Sequence, residues 1–322
     1  MRLFLLTLEA VVALLGIGML GFWVIGRRKL PETTFSFLSS LAIDITLPFL
    51  VLANLIEGFS VQDFPNWWQL PLWWLGFAAV SFALSMATSF IVRKEIRSEF
   101  RISALYQNGL FFPLIIMNGI FGLGNPYMVY LFVFVALHPS MVFGTYSLFF
   151  PRTKQAPAFN WRRVINPVLI ATLVGLIISL SGINRYVPSF ALRILTMVGG
   201  MATPLFMLIL GGNIYSDLMY KVDGKRQFYL ADTLKFVFVK NVIFPLVFLG
   251  LLVLLRPESM TAFTIFLQAA VPPITATPIF AERSGGNREI ASQFIVGSFL
   301  ASIISIPAMV HLFGMFFPVP VS

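Results

Sequence analysis

The chain has 322 residues, of which 58% are apolar and 11% are charged, and its formal net charge is +9. A soluble domain is about a quarter charged, so the composition excludes an ordinary soluble protein and predicts an all-α integral membrane protein. The chain contains no cysteine, which excludes a disulfide frame, a thiolate metal site and a cysteine nucleophile.

Apolar runs divide the chain into ten predicted spans, since a helix needs roughly 20 apolar residues to cross a bilayer. Five lie in the first half, at residues 3–25, 35–57, 69–92, 106–122 and 127–150. Residues 151–163 are polar and are predicted to form a cytoplasmic linker. Five more spans follow at 164–182, 189–214, 234–255, 261–282 and 290–313. The predicted organisation is one five-helix repeat in residues 1–150 and a second in residues 164–322.

Lysine and arginine cluster in alternate links, after the first, third, fifth, seventh and ninth spans. By the positive-inside rule these links face the cytoplasm, so both termini are predicted to face outward and the number of spans is even. This bias accounts for the net charge without a nucleic-acid partner. The predicted location is the cytoplasmic membrane of a prokaryote.

The fourth and ninth spans contain residues that interrupt helices. Asn108, Gly109 and Pro113 lie in the fourth, and the pair Pro272-Pro273 lies in the ninth. Proline removes a backbone donor and clashes with the preceding turn. Two interrupted spans at matching places in two halves indicate a transporter's substrate site, although packing kinks in ordinary helices are the alternative. Because each half has an odd number of spans, the second half is predicted to insert upside down.

The interruptions predict a site for an anion. We expect one helix to begin near Pro113 and another near Pro272-Pro273, because proline suits the first turn of a helix. Helix N-termini carry partial positive charge and favour a carboxylate. The residues predicted to line the site are Gln107, Asn108, Gly109, Pro113, Asn118, Gln268, Pro272, Pro273, Thr275 and Thr277. For the glutamines and threonines, hydrogen bonding between helices is an equal interpretation.

Two ionisable residues inside spans are candidates for coupling to protons or sodium. Asp44 is the most deeply placed acid, and the alternatives are a neutral hydrogen-bonded acid or a position near the interface. Histidine is the side chain whose ordinary pKa allows a change of charge at physiological pH, but a packed, hydrogen-bonded structural role is the favoured interpretation for His138. Four further charged residues are predicted to reach the membrane interface with their side chains: Glu9, Glu57, Lys235 and Lys240.

Several segments together carry a family resemblance. They are LPFLVLANL in the second span, YQNGLFFP in the fourth, NPVLIATLVGLIISLSG in the sixth, TPLFMLILGGN in the seventh and the stretch from VPPITATPIF to IPAMV in the ninth and tenth. The sequence resembles the auxin efflux carrier family, which includes plant PIN-FORMED carriers and bacterial malate and malonate permease-like proteins.

The resemblance implies a fold and a mechanism. Spans 1, 2, 6 and 7 would form a scaffold, and spans 3–5 and 8–10 would form a domain that moves like an elevator, often in a homodimer. The interrupted spans would cross at the substrate site, with Asn108, Pro113 and Pro272 or Pro273 at the crossing. Phe111 stands where many members have glycine, so the resemblance does not fix the pocket or the substrate.

The leading hypothesis is a secondary transporter of a small organic anion, without a cofactor. A sodium-coupled symporter of the bile-acid type and a membrane anion sensor are the alternatives. An enzyme is not predicted, because Asp44 and His138 have no partners that would complete a catalytic pair. The sequence lacks a P-loop, so ATP bound to this chain is not predicted to drive transport.

Overall fold

The computed structural model describes residues 1–27, 32–150, 166–219 and 228–319, and the regular structure in these ranges is helical. Seven described helices are long and apolar enough to cross a membrane: α1 (Arg2–Gly26), α2 (Phe37–Gly58), α3 (Trp67–Ile91), α6 (Tyr127–Phe149), α8 (Ser189–Ser216), α9 (Leu230–Leu255) and α12 (Arg288–Phe313). Shorter helices lie between them: α4 (Arg97–Leu105), α5 (Phe111–Phe121), α7 (Pro167–Leu180), α10 (Ser259–Ala270) and α11 (Thr277–Arg283). The all-helical, membrane-spanning character predicted from composition is confirmed.

Most helix ends agree with the apolar runs, but the fourth predicted span differs. The helical break at residues 106–110 lies at the start of that span rather than at its centre, and the helix before the break is α4. Sequence reasoning assigned α4 to a charged link, because Arg97 and Arg101 interrupt its hydropathy. The predicted linker at 151–163 lies outside the described residues. The ten-span count and the inverted repeat stay predictions.

Asparagine and proline define two of the helix starts. The side chain of Asn166 accepts a hydrogen bond from the backbone N–H of Leu169 at 3.0 Å, and Pro167 is the first residue of α7. Asn287 likewise accepts from the N–H of Ile290 at 3.1 Å at the start of α12. An asparagine side chain satisfies one of the free N–H groups of the first turn, which explains why these helices begin where they do.

Glycines allow α1, α2, α7 and α8 to pack with their backbones close together. A Cβ atom on Gly211 of α8 would collide with the carbonyl of Gly18 on α1. A Cβ atom on Gly199 of α8 would lie 2.6 Å from the backbone nitrogen of Leu50 on α2. Gly175 gives α7 the same close approach to the side chain of Leu55 on α2. These four helices therefore form one group with small residues at their contacts.

Aromatic side chains join the remaining long helices. Phe100 of α4, Phe236 of α9 and Phe294 of α12 are fully buried, and the last two rings stack at 4.4 Å between centroids. Phe77 of α3 contacts Phe248 of α9 at 4.7 Å. Buried aromatic rings contribute large apolar areas with specific geometry, so they fix these helices against one another.

Candidate functional site

The two breaks in the helices pair with each other. The N–H of Asn108 donates to the carbonyl of Pro272 at 2.8 Å, and the N–H of Ile274 donates to the carbonyl of Tyr106 at 2.8 Å. Gln107 and Pro273 face each other in an antiparallel bridge. Backbone groups that leave a helix at membrane depth need partners. Here each break supplies partners for the other.

Side chains reinforce this crossing of residues 106–110 with residues 271–276. Gln268 of α10 donates from Nε2 to the carbonyl of Gly109 at 2.6 Å, and its Oε1 accepts from Nε2 of Gln107 at 3.2 Å. Both glutamines are almost fully buried. A Cβ atom on Gly109 would collide with the Gln268 amide and would displace it from these hydrogen bonds. The glutamines thus have the structural hydrogen bonds that sequence reasoning kept open as their alternative role.

His138 lies behind the crossing. Its Nε2 atom is 3.1 Å from the carbonyl oxygen of Gln107, and its ring meets the Trp74 ring edge-on at 6.2 Å between centroids. The side chain is 6% exposed. The structure therefore places His138 beside a site residue, in the packed and hydrogen-bonded setting that the sequence favoured.

A cavity of 170 Å³ opens beside the crossing. Its described lining includes four polar residues, Ser39 of α2, Asn108, Asn213 of α8 and Thr275. The other described lining residues are apolar, and none of the described lining residues is charged. Asn108 is 2% exposed, and its Nδ2 atom has no hydrogen-bond partner among the described residues. An unpaired buried amide costs about 1–3 kcal/mol, so Asn108 is a candidate donor for a ligand oxygen.

The prolines differ in what they do. Pro113 is the third residue of α5, in its first turn as predicted. The prediction that a helix begins near Pro272-Pro273 is wrong, because α11 begins at Thr277 with Pro278 as its second residue. A residue before proline is biased toward extended backbone, and Val271 is extended with ψ 151°. The double proline therefore continues an extended segment, and Thr277 donates from its hydroxyl to the carbonyl of Ile274.

Two predicted residues lie away from the cavity. Asp44 is exposed on α2, in a turn of π-helix at Ala42–Thr46, and does not line the cavity. Asn118 accepts a hydrogen bond from Asn125 at 3.2 Å in the last turn of α5, four residues before Gly122, which follows the end of the helix. The structure thus does not bring these two side chains together with Asn108.

Sequence reasoning missed two residues of the cavity lining, Ser39 of α2 and Asn213 of α8. Lys240 is 1% exposed, so the prediction that it reaches the interface is wrong. Glu9, Glu57 and Lys235 are exposed, and their reach to the interface stays a prediction. The available signal was the position of Lys240, which lies within the run 234–255 rather than at its edge, with Asn241 next to it.

Comparison with known families gives one match over most of the chain. A family model described as membrane transport protein matches residues 6–310. Curated proteins give no match to the chain.

Proposed function

This chain belongs to the membrane transport protein family, the auxin efflux carrier-like group that its sequence resembles, and on that premise we propose that it is a secondary transporter of a small organic anion. In this proposal the anion is a carboxylate that binds beside Asn108, where the two interrupted spans cross. The helices α4 and α5 are the halves of the fourth span, and α10 and α11 are the halves of the ninth. Their antiparallel pairing supports the inverted repeat and the ten-span count.

The unpartnered amide of Asn108 carries the proposal. It lies in a cavity without acidic side chains among its lining residues, and it offers a donor to a carboxylate oxygen. The first residues of α5, Phe111 and Phe112, line the same cavity, and the first turn of a helix has free N–H groups with partial positive charge. A donor and a helix N-terminus at one cavity favour an anion over a cation.

The volume of the cavity bears on the size of the substrate. Pockets for drug-sized ligands hold roughly 300–1,000 Å³, and this cavity holds 170 Å³. A small carboxylate such as malonate or malate therefore suits the cavity better than a larger aromatic acid.

The origin of the lining supports an elevator mechanism. One side of the cavity comes from α1, α2 and α8, and the other comes from the crossing and α6. In the proposal the glycine-packed group of α1, α2, α7 and α8 is the scaffold, and the paired breaks travel with the remaining helices. We further propose that the protein is a homodimer in the cytoplasmic membrane of a prokaryote and that both of its termini face outward.

Counterflow in proteoliposomes tests this function. Purified protein is loaded with unlabelled malonate, malate or indole-3-acetate, and uptake of the labelled anion is followed, with choline as a cationic control and protein-free liposomes as a blank. We expect saturable uptake of the small dicarboxylates and none of choline. Anion binding without flux would favour the sensor, flux that requires sodium would favour the sodium-coupled alternative, and neither binding nor flux by folded protein would refute the proposal.

A further inference from the structure

The transport domain of this proposal buries a lysine that the anion site does not use. Lys240 of α9 is 1% exposed, and its Nζ atom lies 4.9 Å from the centroid of the Phe244 ring. No carboxylate pairs with Lys240 anywhere in the described part of the chain. Taking an ammonium group out of water without a carboxylate partner is costly, so a buried lysine of this kind is a candidate functional residue.

The position of Lys240 is held by a well-defined network. Lys240 lies in a single turn of π-helix, Val239–Ile243, a feature that occurs frequently at functional sites. Asn241 next to it donates from Nδ2 to the carbonyl of Ser298 and to Oγ of Ser305, both at 3.1 Å, and accepts from Oγ of Ser298 at 2.7 Å. These bonds tie the turn that carries Lys240 to α12.

Lys240 connects to the anion cavity through the crossing. The link runs through α10, which packs against the turn of Lys240 and carries Gln268. Gln268 donates to the carbonyl of Gly109 at 2.6 Å, next to Asn108, which lines the cavity. A charge in the cavity therefore acts on Lys240 through the protein interior, where electrostatic interactions are stronger than in water.

The helices around Lys240 bring few other charges. Helices α10 and α12 pack against its turn. Helices α3 and α10 contain no charged residue, and those of α12 lie near its ends. Other titratable groups on α6, α9 and α12 are Tyr127, Tyr130, Tyr146, Asp232, Lys235, Arg288, Glu289 and His311, all near helix ends. Within the described residues, His138 and Lys240 are the titratable groups of these helices that lie away from the helix ends.

Resting on the proposed function, we propose that Lys240 carries a proton that moves together with the anion. Burial without a carboxylate partner among the described residues favours the neutral amine in the empty protein, whereas an anion in the cavity favours the ammonium. Anion binding and proton uptake then promote each other, because linkage is reciprocal. The amine takes one proton from water on the side where the anion enters and returns it to water on the other side. Only an N–H bond forms and breaks.

Proton-driven accumulation of malonate tests this inference. Proteoliposomes are given a pH difference of about one unit, with the membrane potential clamped at zero by valinomycin and equal potassium, and protein-free liposomes report leakage. One proton per anion predicts about tenfold accumulation on the alkaline side, since one pH unit is tenfold in proton activity. Lys240→Arg keeps a permanent charge and is expected to exchange malonate without accumulating it. Lys240→Gln is expected to lose malonate binding.

The control and a second measurement keep the outcomes separate. Lys235→Gln removes an exposed lysine of the same helix, which donates to the carbonyl of Ile91 at 3.0 Å, and is expected to accumulate malonate like the parent. The second measurement follows proton uptake by the parent protein when malonate binds, with a pH indicator in weakly buffered detergent solution. About one proton per bound malonate is expected, and the measurement does not depend on the folding of any variant.

Two results would overturn the inference but not the proposed transport function: accumulation of malonate by both Lys240 variants, or malonate exchange by the parent without accumulation or proton uptake. Absence of exchange by the parent would overturn the proposed function and this inference with it.

Discussion

Replacing Asn108 with leucine separates the stability of the empty protein from its affinity for the anion. Leucine has nearly the shape of asparagine and no polar atoms. The Nδ2 atom of Asn108 is buried without a partner, which costs about 1–3 kcal/mol in the empty protein. We therefore expect Asn108→Leu to be at least as stable as the parent, whereas removal of a partnered buried amide destabilises a protein.

The loss on the binding side follows from the same atom. A hydrogen bond to a charged acceptor is worth about 1.5–3 kcal/mol. At about 1.4 kcal/mol per tenfold change, Asn108→Leu weakens anion binding roughly 10- to 150-fold. Asn54→Leu is the matched control, since Asn54 donates to the carbonyl of Leu50 within its own helix at 2.8 Å and lies outside the cavity lining.

Two measurements decide the outcome. Tryptophan fluorescence during heating, with six tryptophans in the chain, gives the stability of the empty protein. Concentration-dependent counterflow of malonate gives the apparent affinity. Unchanged affinity in Asn108→Leu would refute the placement of the anion beside Asn108. A clear loss of stability would show that the Asn108 amide has a hydrogen-bond partner in the empty protein.

Three further outcomes follow from the packing. Gly109→Ala is expected to lower the free energy of unfolding by about 1–3 kcal/mol, because it breaks buried hydrogen bonds of Gln268. Thermal unfolding measures this loss, with Gly76→Ala as the control, since a Cβ atom at Gly76 meets open space and is expected to be neutral or stabilising. Equal effects of the two variants would contradict the close approach of Gly109 and Gln268. Gly199→Ala is expected to disturb the α2–α8 contact and reduce the monodisperse fraction in size-exclusion chromatography, and its neighbour Gly200→Ala to leave it intact. Asp44→Asn is expected to keep both flux and its pH dependence in proteoliposomes, because that side chain is exposed away from the cavity; loss of the pH dependence would make Asp44 the coupling residue.

Local chemistry made much of the fold predictable. The run 3–25 became Arg2–Gly26, and the run 290–313 became Arg288–Phe313, because long apolar stretches bounded by polar or helix-capping residues leave few alternatives. Asn108-Gly109 and the prolines predicted interruptions near 108 and 272 from local chemistry, and the described backbone leaves the helix at both places. The binding role of Asn108 stays a prediction; its Nδ2 atom lies beside the cavity without a partner among the described residues.

What could not be predicted depends on contacts between distant residues. The start of α11 depends on the pairing of Pro273 with Gln107, 166 positions away, which keeps residues 271–274 out of the helix past the double proline. The burial of Lys240 depends on which face of α9 packs against α12. The distance of a lysine from the helix end does not contain this information, and on that distance alone its side chain is predicted to extend to the membrane interface.

The pairing of the two breaks also restricts how the anion can move. Separating them would leave the N–H of Asn108 and the carbonyl of Pro272 unpaired at membrane depth, at about 1–3 kcal/mol for each group. Helices α1, α2 and α8 contribute lining residues to the cavity but no backbone bonds to the crossing among the described residues. We therefore expect the crossing to stay joined throughout transport and to slide as one body past the lining of α1, α2 and α8.

A cross-link at the crossing tests this directly. Gln107 and Pro273 are a directly opposed pair of the kind without mutual hydrogen bonds, whose Cα atoms lie about 4.5 Å apart, within the range of a disulfide. The chain has no other cysteine to interfere with a Gln107→Cys, Pro273→Cys variant. Oxidised and reduced samples of this variant are expected to carry out malonate counterflow at equal rates, with the reduced sample as the matched control for the loss of the glutamine. Flux that stops on oxidation and returns on reduction would mean that the breaks must separate, and the anion would then pass between them rather than travel with them.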